Sequence, residues 1–440
     1  MTAILGILQF ISIILTVVYE YNRKSSALFL WLTLTIMFGL THMITTFVGS
    51  SYSDDVLCKA SLFVIAFCLL YLITRKIGKR NRAKNGPLDS VDSDKMFFSY
   101  CERKTYRHLI SLLFIITIIM IVSSAHAQGG LWNTSWGGSR AVGATQSYFN
   151  NSQILTALYY SLSGLPFVLF VRKENRLGVF SVIMFSAEVI VSRNRVMILP
   201  IFVSLIAYVL YHYKSKLNLK VVLIGSIGAV VVIYVIYALR AFRWMGSLGN
   251  ALTKFSWRSL NTQIRQFLED GSGEIDLRNW FYFFIKYNNN FHDFGQMHTY
   301  IRMLLIYIPT RFSFGLKPDD FAIAMGSAIG MASGGSMHST LFGDCYANAG
   351  YFGIFLGVFW GVFANLGDKI VSKITIIDYK RLAYCVFGVA YVVMGRGAVY
   401  NGFVYIAWGM PIIWIYSRVG FGRNTVNKKI VFTFRSKQVL

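Results

Sequence analysis

The sequence is poor in charged residues and in proline. Charged side chains make up 14% of the 440 residues and prolines number six, whereas a soluble domain is about 25% charged. Acidic residues are the scarcest, with 19 Asp and Glu against 43 Lys and Arg, which gives a net charge of +24. In a soluble protein this excess would suggest nucleic acid, but cytoplasmic loops of membrane proteins carry the same excess. We therefore predict a lipid bilayer as the environment and no nucleic-acid partner.

Signatures of metal and cofactor chemistry are also missing. The five cysteines lie mostly in or beside apolar runs and lack the spacing of a zinc site or a disulfide framework. There is no Gly-rich phosphate loop and no His/Cys cluster with metal-type spacing. We therefore predict neither a bound metal nor a cofactor. The cysteines are Cys58, Cys68, Cys101, Cys345 and Cys385.

Long apolar runs, by contrast, are abundant. A helix needs about twenty apolar residues to cross the hydrocarbon core of a bilayer, and runs near that length recur from end to end. The first run, 4–19, is not followed by a small-residue cleavage site, so we interpret it as a retained helix and not as a signal peptide. The sequence predicts an all-α polytopic integral membrane protein of about eleven transmembrane helices, at 3–20, 27–48, 57–74, 109–125, 153–171, 177–192, 196–212, 221–239, 342–364, 382–395 and 400–417.

Basic residues divide the connections between these helices into two sides. Six segments hold 28 of the 43 basic residues, and they alternate along the chain with connections that have few. The positive-inside rule makes the basic side cytoplasmic, so the N-terminus is predicted outside and the C-terminus in the cytoplasm. The six segments are 23–24, 75–107, 172–176, 214–220, 369–381 and the tail from 418.

The opposite side carries one segment of about 100 residues, 240–341. Within it, 257–270 and 277–287 place aromatic or aliphatic residues at helical spacing, and its aromatic content argues against disorder. We therefore predict a large helical outer loop. The chain then divides into helices one to eight with a basic cytoplasmic loop at 75–108 (residues 1–239), the large outer loop (240–341), and helices nine to eleven with a cytoplasmic tail (342–440).

Arginine is the main cation on the predicted outer side. Its planar guanidinium offers a fork of donors that matches two phosphate oxygens, so the outer arginines are candidates to bind a diphosphate. Arg193 and Arg195 follow Glu188 closely in a turn between two short apolar runs, so pairing with Glu188 is an alternative role for them. The candidate residues for binding the diphosphate or sugar are Arg140, Arg193, Arg195, Arg240, Arg243, Lys317 and Arg396.

Two stretches that end the large loop and open the next helix carry a longer pattern. The first, 308–320, runs from Ile-Pro-Thr-Arg to Lys-Pro, and the second, 336–353, leads from a Ser/Thr-rich turn into Gly-Asp-Cys-Tyr-Ala-Asn-Ala-Gly. This pattern resembles the last large outer loop of Wzy-type oligosaccharide repeat-unit polymerases, bacterial enzymes of O-antigen and related polysaccharide assembly. The sequence departs from that family by Thr310, inserted before Arg311, and by Asp344, where Glu is common.

The residue types of the second stretch also suit a catalytic site. Ser336, Ser339 and Thr340 can cap the ninth helix, whose first turn has free N–H donors. His338 can shuttle a proton near neutral pH, and Asp344 can orient it or accept from a sugar hydroxyl. An ordinary loop histidine and a structural pair between Asp344 and an arginine are the alternatives. The candidate catalytic residues are His338, Asp344 and Arg311.

The resemblance implies a glycosyltransferase at the outer face of the bacterial inner membrane. It would polymerise polyprenyl-diphosphate-linked oligosaccharides, with arginine stabilising the leaving diphosphate without a metal, and a chain-length regulator would be a further partner. An O-antigen ligase and a polysaccharide flippase or other transporter are the alternatives. A transporter should have ionisable residues within its helices and internal repeats, whereas the predicted helices are nearly free of acidic groups apart from Glu188.

The predicted topology can be tested with single cysteines in a Cys-free background. An impermeant thiol reagent added from outside should label Ser272→Cys, in the large outer loop. It should leave Ser90→Cys, in the basic loop, unlabelled until the membrane is permeabilised. Labelling of position 90 alone from outside would reverse the orientation and remove the basis for a site on the outer face.

Overall fold

The described part of the chain is helical throughout. All regular elements in it are helices and none is a strand, which confirms the all-α prediction for these residues. The predicted eighth helix, 221–239, lies almost entirely outside the described residues, as do most of the basic loop and the C-terminal tail. A computed structural model describes residues 1–78, 103–127, 153–192, 195–212, 247–254, 256–269, 277–289, 297–309, 312–328, 338–374 and 376–419, with a few isolated positions between them.

Residues up to 212 form the first group of helices. A π-helical turn, Thr35–Gly39, joins α2 to α3 in one apolar stretch, Leu28–Val48, and a 3-10 turn, Arg195–Ile198, leads into α9. The helices are α1 (Thr2–Arg23), α2 (Leu28–Leu34), α3 (Leu40–Val48), α4 (Asp54–Ile77), α5 (Arg103–Ala127), α6 (Gln153–Ser161), α7 (Leu165–Val171), α8 (Asn175–Ser192) and α9 (Leu199–His212).

The remaining helices include several short ones from the predicted outer loop. Two of these confirm the helical spacing seen at 257–270 and 277–287. A 3-10 turn, Gly350–Phe355, connects α15 to α16. The helices are α10 (Leu248–Thr253), α11 (Trp257–Glu269), α12 (Leu277–Lys286), α13 (His298–Leu304), α14 (Phe321–Ala328), α15 (Thr340–Ala349), α16 (Leu356–Ser372), α17 (Ile377–Gly395) and α18 (Val399–Val419).

Apolar length identifies the helices that suit a bilayer. All the predicted transmembrane helices except the eighth overlap helical segments of the structure. Besides five long apolar stretches, the described residues include two shorter ones, Leu155–Val171 and Val196–His212. Several helices therefore have the length and composition of a membrane protein, and the number of spans and their orientation stay predictions. Within the described ranges, 5 stretches are long and apolar enough to cross a membrane, namely Thr2–Arg23, Leu28–Val48, Asp54–Ile77, Tyr106–Ser123 and Thr340–Ser372.

Glycines bring α16 and α4 into close contact. A Cβ added at Gly357 would lie 2.6 Å from the carbonyl oxygen of Phe67, and one added at Gly361 would lie 2.7 Å from Cβ of Thr74. Small residues four apart let helix backbones approach in this way, and such contacts drive helix association in lipid. Because later positions of α16 meet later positions of α4, the two helices run parallel, and α16 begins opposite the middle of α4.

Helix α12 packs in the half of the bundle where α4 begins. Its Phe281 is buried against Phe38 and Phe63, with ring centroids 5.6 and 5.3 Å away. The neighbouring Tyr282 hydroxyl lies 2.5 Å from Nδ1 of His42. Since Phe38 and His42 belong to the second apolar stretch and Phe63 to α4, aromatic burial fixes α12 against both of these long apolar stretches.

A buried ionic network joins α1, α4 and α16 at the opposite end. The Arg75 guanidinium lies 2.5 Å from Glu20 Oε2 and 2.8 Å from Asp368 Oδ2, and it donates to Asn365 Oδ1 at 2.7 Å. Arg23 donates to the Arg75 carbonyl at 2.6 Å. Two arginines therefore balance two carboxylates in a region of low dielectric, where an unpaired charge would be very costly.

The helices contain more acidic residues than the sequence analysis expected. Glu20 lies in α1 and Asp344 in α15, both fully buried. Asp368 and Asp378 lie in α16 and α17, which extend beyond the predicted bounds. The expectation that acidic groups other than Glu188 are nearly absent from the helices is therefore wrong. Glu20, Asp368 and Asp378 each form a salt bridge with arginine.

The network makes a testable prediction about stability. Arg75→Met leaves Glu20 and Asp368 buried beside a neutral side chain, so it should lower the free energy of unfolding by about 3–5 kcal/mol. Thermal unfolding of the purified protein in detergent measures the loss. The control is Lys76→Met, which removes the exposed charge of the next residue and should change little. Similar melting temperatures for both variants would contradict a stabilising role for the network.

Candidate functional site

The N-terminus of α15 is held by a distant turn. The helix begins at Thr340, with Ser339 in the N-cap position, but the Ser339 hydroxyl makes no capping hydrogen bond. The Thr340 N–H instead donates to the Arg396 carbonyl at 3.2 Å. The prediction of side-chain capping is therefore wrong for Ser339, because a backbone carbonyl of the α17–α18 turn satisfies the helix end. Ser336 lies outside the described residues.

Gly397 makes this close contact possible. Its φ is +102°, and an added Cβ would lie 2.6 Å from the Thr340 nitrogen and 2.8 Å from the Ser339 nitrogen. Only glycine fits this combination of left-handed backbone and backbone contact. Two predicted site residues, Arg396 and His338, consequently lie on adjacent segments, and both are half-buried.

Asp344 lies one turn into α15 and is fully buried. Its Oδ2 accepts from the Thr299 hydroxyl at 2.9 Å, and its Oδ1 lies 3.3 Å from the Asn348 amide nitrogen. Asn348 in turn accepts from the Thr299 N–H at 2.8 Å. The hydrogen bonds of the Asp344 carboxylate therefore run to α13 and along α15, and among the described residues none joins it to His338.

A small cleft opens beside this carboxylate. Asp344 and Thr299 line it from one side, and Asp320, at the start of α14, contributes a second carboxylate. The start of α18 provides Tyr400 and Asn401. Four separate stretches of the sequence therefore meet at one cleft, which combines two carboxylates with an apolar wall. Its full lining is Thr299, Asp320, Phe321, Ala322, Asp344, Gly397, Ala398, Val399, Tyr400 and Asn401.

Two cations lie next to the cleft. The Arg302 guanidinium is 4.5 Å from the centre of the Tyr400 ring and donates to the Pro318 carbonyl. Lys317 donates to the Ile308 carbonyl at 2.8 Å. Burial, and then the positive charge of Arg302, lower the pKa of Lys317. Because Arg302 donates to the carbonyl of the residue after Lys317, the two cations belong to one region of the surface, where a bound anion would reduce their mutual repulsion.

Burial also changes the pKa of two groups near the cleft, Asp320 and His298. It raises the pKa of Asp320, and the charge of Arg302 offsets part of this rise. It lowers the pKa of His298, whose Nε2 lies 2.6 Å from the Asp319 carbonyl. Since a carbonyl only accepts, the His298 ring donates there from its neutral form.

Many predicted site residues lie outside the described residues. Arg396, His338, Asp344 and Lys317 are described, and Glu188 is buried in α8. Arg195 begins a 3-10 turn, but its side chain lies outside the description. The convergence of several outer arginines therefore stays a prediction. The predicted residues outside the described ranges are Arg140, Arg193, Arg240, Arg243 and Arg311.

Most of the residues that line the cleft were not predicted from the sequence. Thr299, Tyr400 and Asn401 belong to no motif, and their proximity depends on how α13 and α18 pack. Asn348 did lie within the resemblance motif, four residues after Asp344, so their common helix face was a usable signal. In the part of the chain that the structure describes, no three His, Cys, Asp or Glu side chains are grouped so that they could hold a metal ion.

Comparisons with known proteins leave the family of the chain undetermined. The chain matches no protein-family model, and neither the curated proteins nor the solved structures contain a significant match.

The close contact at Gly397 can be tested against a second glycine. Gly397 and Gly315 have φ of +102° and +80°, so Ala at either costs about 1–2 kcal/mol in backbone strain. An added Cβ at Gly315 has nothing within 4 Å. Gly397→Ala also meets the backbone of Thr340, which should add about 1–3 kcal/mol. Equal losses of melting temperature in the two variants would contradict the close packing of the turn on α15.

Proposed function

We propose that this protein is a membrane glycosyltransferase that polymerises oligosaccharides carried on a polyprenyl diphosphate. The end of the bundle that carries the cleft faces outward across the bacterial inner membrane, with the N-terminus outside and the C-terminus in the cytoplasm. A chain-length regulator is the proposed protein partner. The proposal combines the resemblance of 308–320 and 336–353 to Wzy-type polymerases with the geometry around Asp344.

The observation that carries the proposal is the meeting of carboxylates and cations at one cleft. Asp344 and Asp320 line the cleft, and Arg302 contacts Tyr400 on its wall. Arg396 lies on the turn that packs against the N-terminus of α15. Transfer of a sugar from a diphosphate requires both kinds of group, because a hydroxyl must lose a proton while negative charge develops on the leaving phosphate.

The reaction balances as a simple displacement. A hydroxyl of the acceptor sugar attacks the anomeric carbon of the donor sugar, and the bond from that carbon to the phosphate oxygen breaks. The diphosphate leaves with the bonding electrons, and the hydroxyl proton passes to a basic side chain. In this proposal Arg396 stabilises the departing diphosphate, since a guanidinium stays charged and offers paired donors.

Asp344 is proposed to accept a hydrogen bond from the acceptor hydroxyl. Thr299 and Asn348 hold its two oxygens, which fixes the orientation of the carboxylate toward the cleft. Of the two roles considered for Asp344, the geometry favours contact with the sugar over orientation of His338. His338, on the segment that enters α15, remains the proposed group for taking up the proton.

The paired acids at the other end favour this enzyme over a transporter. A transporter would use ionisable residues within its helices to bind and release ions or substrate. Glu20 and Asp368 are instead neutralised by Arg75 at 2.5 and 2.8 Å. Such a network supports a fixed contact between helices.

Polymerisation by the purified protein tests the proposal. The substrate is lipid-linked oligosaccharide extracted from cells that make the protein, and the product is scored as a ladder on a gel. Asp344→Asn and His338→Ala should each lower turnover by about a hundredfold or more. Arg396→Lys keeps the positive charge but loses the paired N–H donors of the guanidinium, so it should also shorten the polymer ladder on the gel.

The matched control is Asp55→Asn, which changes an exposed carboxylate at the start of α4 and should leave turnover unchanged. Wild-type turnover in both Asp344→Asn and His338→Ala would contradict the assigned roles. If the wild-type protein forms no glycosidic bond but moves the lipid-linked substrate across a vesicle membrane, the protein is a transporter and the proposed enzyme activity is wrong.

A further inference from the structure

The segment between α13 and α14 exposes large apolar side chains. Leu304 is 85% exposed, Phe314 is 93% exposed and Leu316 is 71% exposed. Tyr307 belongs to the same surface, with 60% of its area exposed. We call these four residues the apolar loop. In a membrane protein such side chains meet hydrocarbon, which comes either from bulk lipid or from a bound lipid.

The apolar loop reaches well down the side of the bundle. The Tyr307 hydroxyl donates to the Ala407 carbonyl at 2.9 Å, and its ring lies 5.4 Å from that of Trp408. Ala407 is eight residues into α18, which starts at Val399, so Tyr307 lies about 12 Å along the helix from its beginning. At that depth the loop lies beside the hydrocarbon region if α18 crosses the bilayer.

Phe314 lies in a strained turn. Phe314 and Gly315 have φ of +49° and +80°, and a left-handed conformation is unfavourable for a bulky residue. The Lys317 ammonium closes the segment by donating to the Ile308 carbonyl at 2.8 Å. The most exposed phenyl ring therefore lies at the tip of a closed loop with a cation at its base.

Apolar, cationic and polar surfaces follow one another from this loop to the cleft. Lys317 follows Leu316 directly, and Arg302 donates to the carbonyl of Pro318, the residue after Lys317. Arg302 then contacts Tyr400, which lines the cleft. A hydrocarbon chain, a diphosphate and a sugar are joined in the same order in a lipid-linked oligosaccharide.

We infer that the apolar loop binds the polyprenyl chain of the substrate, with Arg302 and Lys317 binding its diphosphate together with Arg396 and the cleft receiving its sugar. This inference rests on the proposed function and adds the position and direction of the carrier. The paired cations favour the carrier over bulk lipid, because a diphosphate places two anionic groups side by side and a phospholipid has one.

Binding of the carrier without any sugar tests the inference separately from catalysis. The probes are a C55 polyprenyl diphosphate, inorganic diphosphate and phosphatidylglycerol, each titrated into the full-length protein in detergent. The apolar variants are Phe314→Asn and Leu316→Ser. Asparagine is chosen at position 314 because it tolerates the left-handed backbone conformation. The cation variant is Lys317→Met. The control is Phe352→Asn, which removes a 77% exposed ring in the α15–α16 connection.

Each apolar variant should weaken binding of the C55 diphosphate by about tenfold or more, the scale of withdrawing one large side chain from hydrocarbon. Binding of inorganic diphosphate should not change in these variants. Lys317→Met should weaken both diphosphates, and Phe352→Asn should weaken neither. Melting temperatures of the variants confirm that each is folded.

Two results would overturn the inference. Unchanged binding of the C55 diphosphate in Phe314→Asn and Leu316→Ser would remove the loop from the carrier site. An equal loss of phosphatidylglycerol binding would make the loop a general membrane contact. If the carrier binds as expected but no polymer forms, the proposed function fails while the carrier site stands.

Discussion

The burial of the Asp344 carboxylate is the constraint on which the rest of the site depends. A carboxylate removed from water must be hydrogen-bonded, since leaving it unsatisfied costs several kcal/mol. Thr299 and Asn348 meet this need, and Thr299 can do so only because α13 packs against α15. The same packing brings Arg302, one turn along α13, to the ring of Tyr400. One satisfied acid therefore positions both the polar and the cationic side of the cleft.

The two ends of the bundle solve the same electrostatic problem differently. At one end Arg75 neutralises Glu20 and Asp368 directly, which links three helices through a balanced network. At the cleft Asp344 is satisfied by uncharged donors, and the nearby cations contact carbonyls and an aromatic ring. The first arrangement suits a permanent contact between helices. The second leaves cations able to receive an anionic ligand.

The helices were largely predictable, and the cleft was not. Hydropathy located the long apolar helices, and helical spacing located α11 and α12 within the large loop, because both signals come from neighbouring residues. The motif at 336–353 pointed to the start of α15. It did not reveal that the Arg396 carbonyl, and not the Ser339 hydroxyl, accepts from the first N–H of that helix. That contact requires a glycine at 397, where backbones from distant segments touch.

The amino-acid sequence by itself determined the lipid-compatible composition, the helical content and the position of most helices, because these follow from local apolar length and periodicity. Tertiary structure decided which polar residues share a site. Thr299 and Tyr400 are about 100 residues apart in the sequence and face one cleft only through the packing of α13, α15 and α18. The physical reason is the low dielectric of the interior. A buried polar group there is costly unless the folded bundle places a hydrogen-bonding partner within reach.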